Sequence, residues 1–385
     1  MNQIDSNALE QLLNAQSQPA ITMYIPMLTS AAPPHMSENQ IRFKNLFHRA
    51  YEMLSQRQDG AGLTKQLRDF YEQHYNEPAF WEHQTPALLV CATAESVQMF
   101  QLPIDTEEYV ALDDSFHLAP VISLVDDQRD FYVLALAQHD PVLYQGDMYG
   151  LRPADVHFPS DAHQALNIDE PNQQTENQGS ATAPGSNSAG FNGRGGSRDP
   201  RDEDRQRFFR IINKIISANV DRKRPLILAG VDTEVTEFRE LSTHPLILNA
   251  SLSGNYKDVK PDNLFRAAYA VVWKELVVPE HQSAIEDYGR LHGAQPERTA
   301  SDMKSVEKAA NQGRVEKLLT SMTRQTTDTV QDNVASVPRL TFPDATTSQL
   351  MNALATKVYQ MKGRVFNLLP DEMPQGKLMV AHLRY

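Results

Sequence analysis

Chemistry in this chain is most legible in AGFNGRGGSRDP, Ala189 to Pro200, where Gly193, Gly195 and Gly196 surround Arg194 and precede Ser197 and Arg198. Glycine reaches positive φ without strain and lets the backbone approach a partner closely. A tip of this kind can offer N–H groups to phosphates or to a ribose. Arg201, Arg205, Arg207, Arg210 and Lys214 follow, and against four carboxylates the stretch from Gly193 to Lys214 carries net +3 in a chain of net −13. Guanidinium groups grip phosphate bidentately and stack on bases. The chemistry indicated is contact with RNA rather than bond-making, because no His and acid partner can be assigned to Ser197 as a nucleophile.

A second polar set, His35, Asn39, Arg42, Lys44 and Asn45, falls in HMSENQIRFKN and could also touch RNA. The other constellations are bland. The twelve histidines show no HExxH spacing and the single cysteine forms no CxxC pair, so no metal and no cofactor are expected. His244, His281 and His292 read as surface residues. A P-loop sequence is missing, so any GTP hydrolysis would belong to a partner.

Global charge narrows the function. A protein that coats nucleic acid usually presents a basic face, and at net −13 any such contact here must be local. No apolar run approaches the roughly 18 to 20 residues of a membrane helix, and MNQIDSNALEQLLNAQ lacks the marks of an export signal. Cys91, alone within LLVCATA, can form no internal disulfide. A cytoplasmic location is therefore expected.

The elements that must position these residues alternate between strand and helix. AITMYIPM (20–27), PALLVCATA (86–94) and SVQMFQL (96–102) read as strands. SENQIRFKNLFHRAYEML reads as a helix with an apolar stripe of Phe43, Leu46, Phe47, Ala50 and Leu54, opened by a capping-box spacing at Ser37 and Gln40. Acidic DTEEYVALDD (105–114) reads as a solvated face. RDFYVLALAQHDPVLYQGD reads as two strands turning at His139-Asp140-Pro141. Between Ile168 and Phe208 the only large apolar side chain is Phe191, and a Gly/Ser/Asn tract taken alone reads as a disordered linker. It runs into a helix with Phe208, Ile211, Ile212, Ile215 and Ile216 at helical spacing. RPLILAGVD (224–232) and HPLILNASLSGN read as strands, and a helix begins after Pro261. ASDMKSVEKAANQGRVEKLLTS reads as a helix closed by Gly313 before a strand at 315–319, and GKLMVAHLRY as a strand to the last residue. The fold class expected is α/β, with mixed sheets flanked by helices.

In order along the chain, these motifs resemble the archaeo-eukaryotic class-one release factors and Pelota, through their diverged bacterial relatives. The hairpin, Gly193-Arg194-Gly195-Gly196, LILAG at 226–230, VEKAANQGRVEKLL and the closing HLRY carry the resemblance, which covers most of 121–385. Ser197 stands where the family has glutamine, and the family's Asn-Ile-Lys-Ser codon-reading element is missing near His35 to Asn45. The resemblance implies three domains: 1–120 facing the decoding centre, 121–272 carrying the Gly-rich loop within a flexible tract at about 160–204, and 273–385 recruiting partners. It turns the tract from a linker into a loop that reaches outward. It further implies a ribosome-binding factor of the A site, acting in hibernation or on stalled ribosomes. Gly193 to Arg198, Arg201 and Arg205 would lie on 23S rRNA at the peptidyl-transferase centre, and the His35 to Asn45 set on 16S rRNA. The partner would be elongation factor Tu or a related translational GTPase, with neither membrane nor DNA involved. Two alternatives remain open, a peptidyl-tRNA hydrolase and a non-ribosomal protein scaffold.

Overall fold

The structure is a computed structural model, and it describes residues 2–15, 19–29, 33–82, 84–136, 140–161, 164–165, 200–254, 256, 261–324 and 339–385. Its fold is α/β, with mixed sheets flanked by helices as expected. The chain forms two compact units, Met1–Arg129 together with Leu276–Tyr385, and Asp130–Glu275.

The N-terminal half of the first unit comprises β1 (Asn2–Gln3), α1 (Ser6–Asn14), β2 (Ala20–Pro26), α2 (Pro33–Ser55), α3 (Ala61–Tyr75), α4 (Pro78–Glu82), β3 (Ala87–Ala92), β4 (Val97–Leu102), β5 (Tyr109–Asp113) and α5 (Ala119–Asp126). Its sheet runs β1-β4-β3-β2-β5, with β1 parallel to β4 and the other pairs antiparallel. All seven residues of β2 and all six of β3 are buried, as central strands covered on both faces require. The stripe Phe43, Leu46, Phe47, Ala50 and Leu54 is buried on α2 and joins Leu63, Leu67, Phe80 and Trp81 in one core. The capping box expected at Ser37 does not form, because α2 already starts at Pro33. Proline is tolerated in a first turn, where its missing N–H has no intrahelical partner. The acidic segment at 105–114 also departs from expectation, since its apolar residues Tyr109, Val110 and Leu112 make β5 a sheet strand.

The second unit contains β6 (Phe131–Ala135), β7 (Val142–Asp147), β8 (Gly150–Pro153), α6 (Pro200–Asn219), β9 (Leu226–Gly230), α7 (Asp232–Leu241), β10 (Leu252–Ser253) and α8 (Pro261–Val272). Its sheet runs β10-β9-β6-β7-β8, parallel across β10, β9 and β6 and antiparallel beyond. Only Ile247 makes a sheet bridge between 244 and 250, so the strand expected in HPLILNASLSGN shrinks to that bridge and the two residues of β10. A π-turn, Trp273–Val277, leads out of α8 into α9 (Val278–Ala294) and spans the boundary between the units.

The first unit resumes with α9, β11 (Thr299–Ala300), α10 (Met303–Asn311), β12 (Val315–Thr320), a two-strand ribbon of β13 (Thr323–Arg324) and β14 (Arg339–Leu340), α11 (Ala345–Gln360), β15 (Arg364–Asn367) and β16 (Met379–Leu383). The sheet order is β11-β16-β12-β15. Gly313 takes φ 67°, the left-handed conformation that glycine adopts without strain, and so turns the chain after α10.

The boundary expected at 121 falls at 130. Helix α5 is buried along seven of its eight residues and lies against β15 and α11. Asn352, 3% exposed on α11, fastens its start: Oδ1 accepts from the N–H groups of Leu118 (2.7 Å) and Ala119 (3.1 Å), and Nδ2 donates to Phe116 O (2.9 Å). His117 bridges Tyr109 (2.7 Å at Nδ1) and Asp113 (2.9 Å at Nε2), while Gln349 donates to the second Asp113 oxygen. The end of α5 enters a charged cluster. There Glu280 accepts from both Arg129 and Arg364, and His281, 8% exposed, donates to Asp127 at 3.0 Å. His281 is therefore not the surface residue expected, and neither is His244, 6% exposed beneath the turn after α7. Burial pushes the Asp126 carboxyl up to about 6, against the pull of Arg364, and its Oδ2 is buried without a partner.

A raised folded-state pKa means that stability is present below the unfolded value and falls as pH rises through about 6. Asp126→Asn removes this neutral-pH penalty. Urea unfolding at pH 7 is expected to show a gain of about 1 to 2 kcal/mol, allowing for residual exposure of the group. The gain should shrink between pH 6 and pH 4. A gain independent of pH would contradict the assignment.

Candidate nucleic-acid interface

Helix α6 carries the part of the basic stretch that the structure describes. Phe208, Phe209, Ile212 and Ile216 are buried against β6 and β9, with Phe238 of α7 edge-on to Phe209. This apolar face fixes the roll of the helix and therefore decides which cations face solvent. Arg207, Arg210 and Lys214 recur at i, i+3 and i+7, all are exposed, and none has a hydrogen bond or ion pair with a described residue. At 1.5 Å rise per residue they form a stripe about 10 Å long on one face. Beyond the helix end, Arg222 and Lys223 are also exposed, with Arg222 donating to Thr243 O at 2.7 Å. Sequence reasoning passed over these two, although the run Arg222-Lys223-Arg224 was the available signal.

Two other cations of the unit are paired with carboxylates. Arg205 Nε donates to Glu237 of α7 at 2.6 Å, which ties two helices and makes this residue a clasp. Arg224 pairs with Asp130 at 3.0 Å and lies over the Tyr132 ring. A shallow groove of about 270 Å³ beside α6 is lined by Phe158, Pro159, Ala165, Ile211 and Ile215, with His157 and Gln164. It explains why Ile211 and Ile215 are only half-buried.

The expected tip, Gly193, Arg194, Gly195, Gly196, Ser197 and Arg198, lies outside the described residues, and of Arg201 only the helical backbone is described. In the N-terminal set, His35 likewise contributes backbone alone. Asn39 is fully buried: its Oδ1 accepts from Leu28 N–H (2.8 Å) and its Nδ2 donates to Leu28 O (2.9 Å), so the amide pins the loop after β2 to α2. Arg42 pairs with Glu38 one turn back. Lys44 and Asn45 are exposed, on the same solvent side of α2 as Ile41 (57% exposed) and His48. The structure thus brings Lys44 and Asn45 to one surface and turns Asn39 into the core.

Burial holds the His244 imidazole below its ordinary pKa. His292 stacks on Tyr288 and contacts Thr299 Oγ1 at 2.9 Å. Among the described residues no group of three His, Cys, Asp or Glu side chains could hold a metal ion, and no helix is long and apolar enough to cross a membrane.

Comparison with known proteins bears on the same part of the chain. Residues 130–314 match the model of bacterial archaeo-eukaryotic release factor family 3. The match takes in the second unit, with α6, and runs on to the turn at Gly313. Among curated proteins nothing matches. Solved structures similar to the chain include the archaeal translation termination factor aRF1 (12% identity, 100% of this chain and 99% of that one, TM-score 0.25). Archaeoglobus fulgidus Pelota (12%, 77% and 79%, TM-score 0.34) and S. cerevisiae Dom34, described as a translation termination-like factor interacting with Hbs1 (11%, 75% and 73%, TM-score 0.37), are others. At such TM-scores the likeness assigns no residue and no role.

The two faces of α2 make opposite predictions. Asn39→Ala leaves the Leu28 backbone groups unpaired and should cost about 2 kcal/mol in chemical denaturation. Lys44→Ala and Asn45→Ala should stay within about 0.5 kcal/mol of the parent. A neutral Asn39→Ala would contradict its role as an anchor.

Proposed function

We propose that the chain is a ribosome-binding translation factor that occupies the vacant A site, reaching from the decoding centre toward the peptidyl-transferase centre, and silences the ribosome without releasing peptide. The observation that carries this reading is the unpaired stripe Arg207, Arg210 and Lys214, on the helix that follows the Gly193 to Arg198 tip, in a chain of net −13. A protein with this charge that binds RNA must do so through such local cations. The match of 130–314 to a release factor family supports RNA of the ribosome as the target.

In this reading the apolar face of α6 anchors the helix, the stripe binds phosphates of 23S rRNA, and the glycine tip extends into the catalytic centre. Arg201 and Arg205 sit at the base of the tip, while Lys44 and Asn45 on α2 face 16S rRNA. Ser197 keeps a backbone N–H where the family has glutamine but lacks the long amide that helps to position water. Occupancy therefore blocks aminoacyl-tRNA sterically, and peptidyl-tRNA hydrolysis is not accelerated. This is hibernation or the holding of stalled ribosomes, in the manner of the ribosome hibernation factor Balon, which the motifs resemble. Elongation factor Tu or a related GTPase delivers the factor in the cytoplasm.

The test is sedimentation with 70S ribosomes across a salt series, with release of formyl-methionine measured in parallel. The chain should move with 70S particles and free no peptide. Arg207→Gln/Arg210→Gln/Lys214→Gln should bind at least tenfold more weakly, with a salt slope shallower by about 2 to 3, as expected for three lost phosphate contacts. A chain that stays in the soluble fractions would identify a non-ribosomal scaffold, and release at release-factor rates would identify a hydrolase. Either result overturns the proposal.

A further inference from the structure

A second concentration of positive charge lies in the first unit, where α10 and α11 end beside the edge of the C-terminal sheet. Direct contacts make it one surface. Arg384 N–H donates to Arg314 O at 2.8 Å, and Arg384 Nη2 donates to Met361 O at 2.7 Å. Arg298 Nη2 donates to the carbonyl of Arg384 at 3.2 Å. Lys362 follows Met361 at φ 62°, a left-handed conformation that directs the chain sharply out of α11. Lys357, one turn earlier, donates to Asn311 Oδ1 at 2.7 Å.

Four of these five cations, all but Arg314, have no charged partner among the described residues. Arg298 and Arg384 bond to backbone carbonyls, with Arg298 also reaching the Gln295 amide, Lys357 bonds to an amide, Lys362 has no partner among the described residues, and Arg314 alone meets a carboxylate, the α-carboxylate of Tyr385. No carboxylate of a described side chain pairs with any of them. The carbonyl ends of two helices contribute roughly half a negative charge each, which with the Tyr385 carboxylate offsets about two of the five. Several other arginines of this unit are paired, Arg57 with Asp59, Arg129 and Arg364 with Glu280, Arg339 with Asp105, whereas Arg49 and Arg68 stand exposed and singly on α2 and α3. The surface is also not purely ionic. Met361 is 40% and Tyr385 69% exposed, and the Arg314 guanidinium lies 5.3 Å from the Tyr385 ring centroid.

We infer that the surface formed by Arg298, Arg314, Lys357, Lys362 and Arg384 is a second RNA-binding site, which takes the phosphates of an RNA loop and stacks an unpaired base on the Arg314–Tyr385 pair. Uncompensated lysines and arginines beside an exposed aromatic ring are the combination that single-stranded and looped RNA requires, phosphate contact for affinity and a flat face for the base. An acidic peptide would use the charges but has no need of the stacked pair. The site shares no residue with α6 and can fail while the reading above holds.

The experiment uses the full chain with Arg207→Gln/Arg210→Gln/Lys214→Gln, so that the α6 stripe is silent, and a fluorescent RNA hairpin with an unpaired loop. Anisotropy is read across a salt series. Adding Lys357→Gln/Lys362→Gln should weaken binding about tenfold and make the log–log salt slope shallower by about 1.5 to 2. Lys357→Arg/Lys362→Arg should retain binding, and the melting temperature should be unchanged in both. Hairpin affinity within twofold of the background protein after Lys357→Gln/Lys362→Gln would overturn the site. So would a poly-glutamate peptide that binds more tightly than the hairpin through the same lysines, because the partner would then be an acidic protein.

Discussion

A polyanion can be held by an acidic protein only where cations are kept away from that protein's own carboxylates, and this constraint organises the charged surface described here. Most guanidinium groups with a side-chain acid within reach are paired with it: Arg42 with Glu38, Arg205 with Glu237, Arg224 with Asp130, Arg129 and Arg364 with Glu280. The pairs on the surface contribute little to stability, but they remove those cations from the pool that could bind RNA. Among the cations left unpaired, those on the solvent face of α6 and at the ends of α10 and α11 form clusters. In a chain with 36 Lys and Arg against 49 Asp and Glu, such segregation decides where a phosphate can bind.

The framework behind these surfaces is apolar and local. Phe208, Phe209, Ile212 and Ile216 leave α6 one way to lie on its sheet, so the stripe on its far side faces solvent by default. In the first unit the comparable work is done by α5, whose almost complete burial against β15 and α11 brings together halves that are 147 positions apart at their nearest residues, Arg129 and Leu276. Asn352 satisfies two N–H groups at the start of that helix, which would otherwise be buried without acceptors. The same junction accumulates the Asp126, Asp127, Glu280 and His281 side chains, where burial and pairing set protonation.

Periodicity made much of this readable from the sequence. The α2 and α6 stripes, the buried runs of β2, β3 and β9, and the glycine after α10 each follow from a local pattern, and all are present. What escaped depends on partners distant in sequence. Asn39 looked like an exposed polar residue because nothing in its neighbourhood announces Leu28 as the group it holds. His281 looked like a surface residue because Asp127 lies 154 positions away. The start of α2 was misplaced because Ser37 and Gln40 have cap spacing but two prolines upstream extend the helix. Helix α5 was assigned forward to the following strands, since its burial against α11 has no local signature. At the site itself, the cations were legible as a cluster, whereas their division into paired and unpaired members depended on Glu237, 32 positions from Arg205.

The central claim is that the glycine-arginine tip enters the ribosome's catalytic cavity with α6 bound at its rim. A cryo-EM map of the full chain mixed with 70S ribosomes tests it most directly. The account predicts density for Gly193 to Arg198 within the peptidyl-transferase centre, Arg207, Arg210 and Lys214 against 23S rRNA phosphates, and an A site closed to tRNA. A map with the chain bound elsewhere, or with α6 facing away from rRNA, would contradict it.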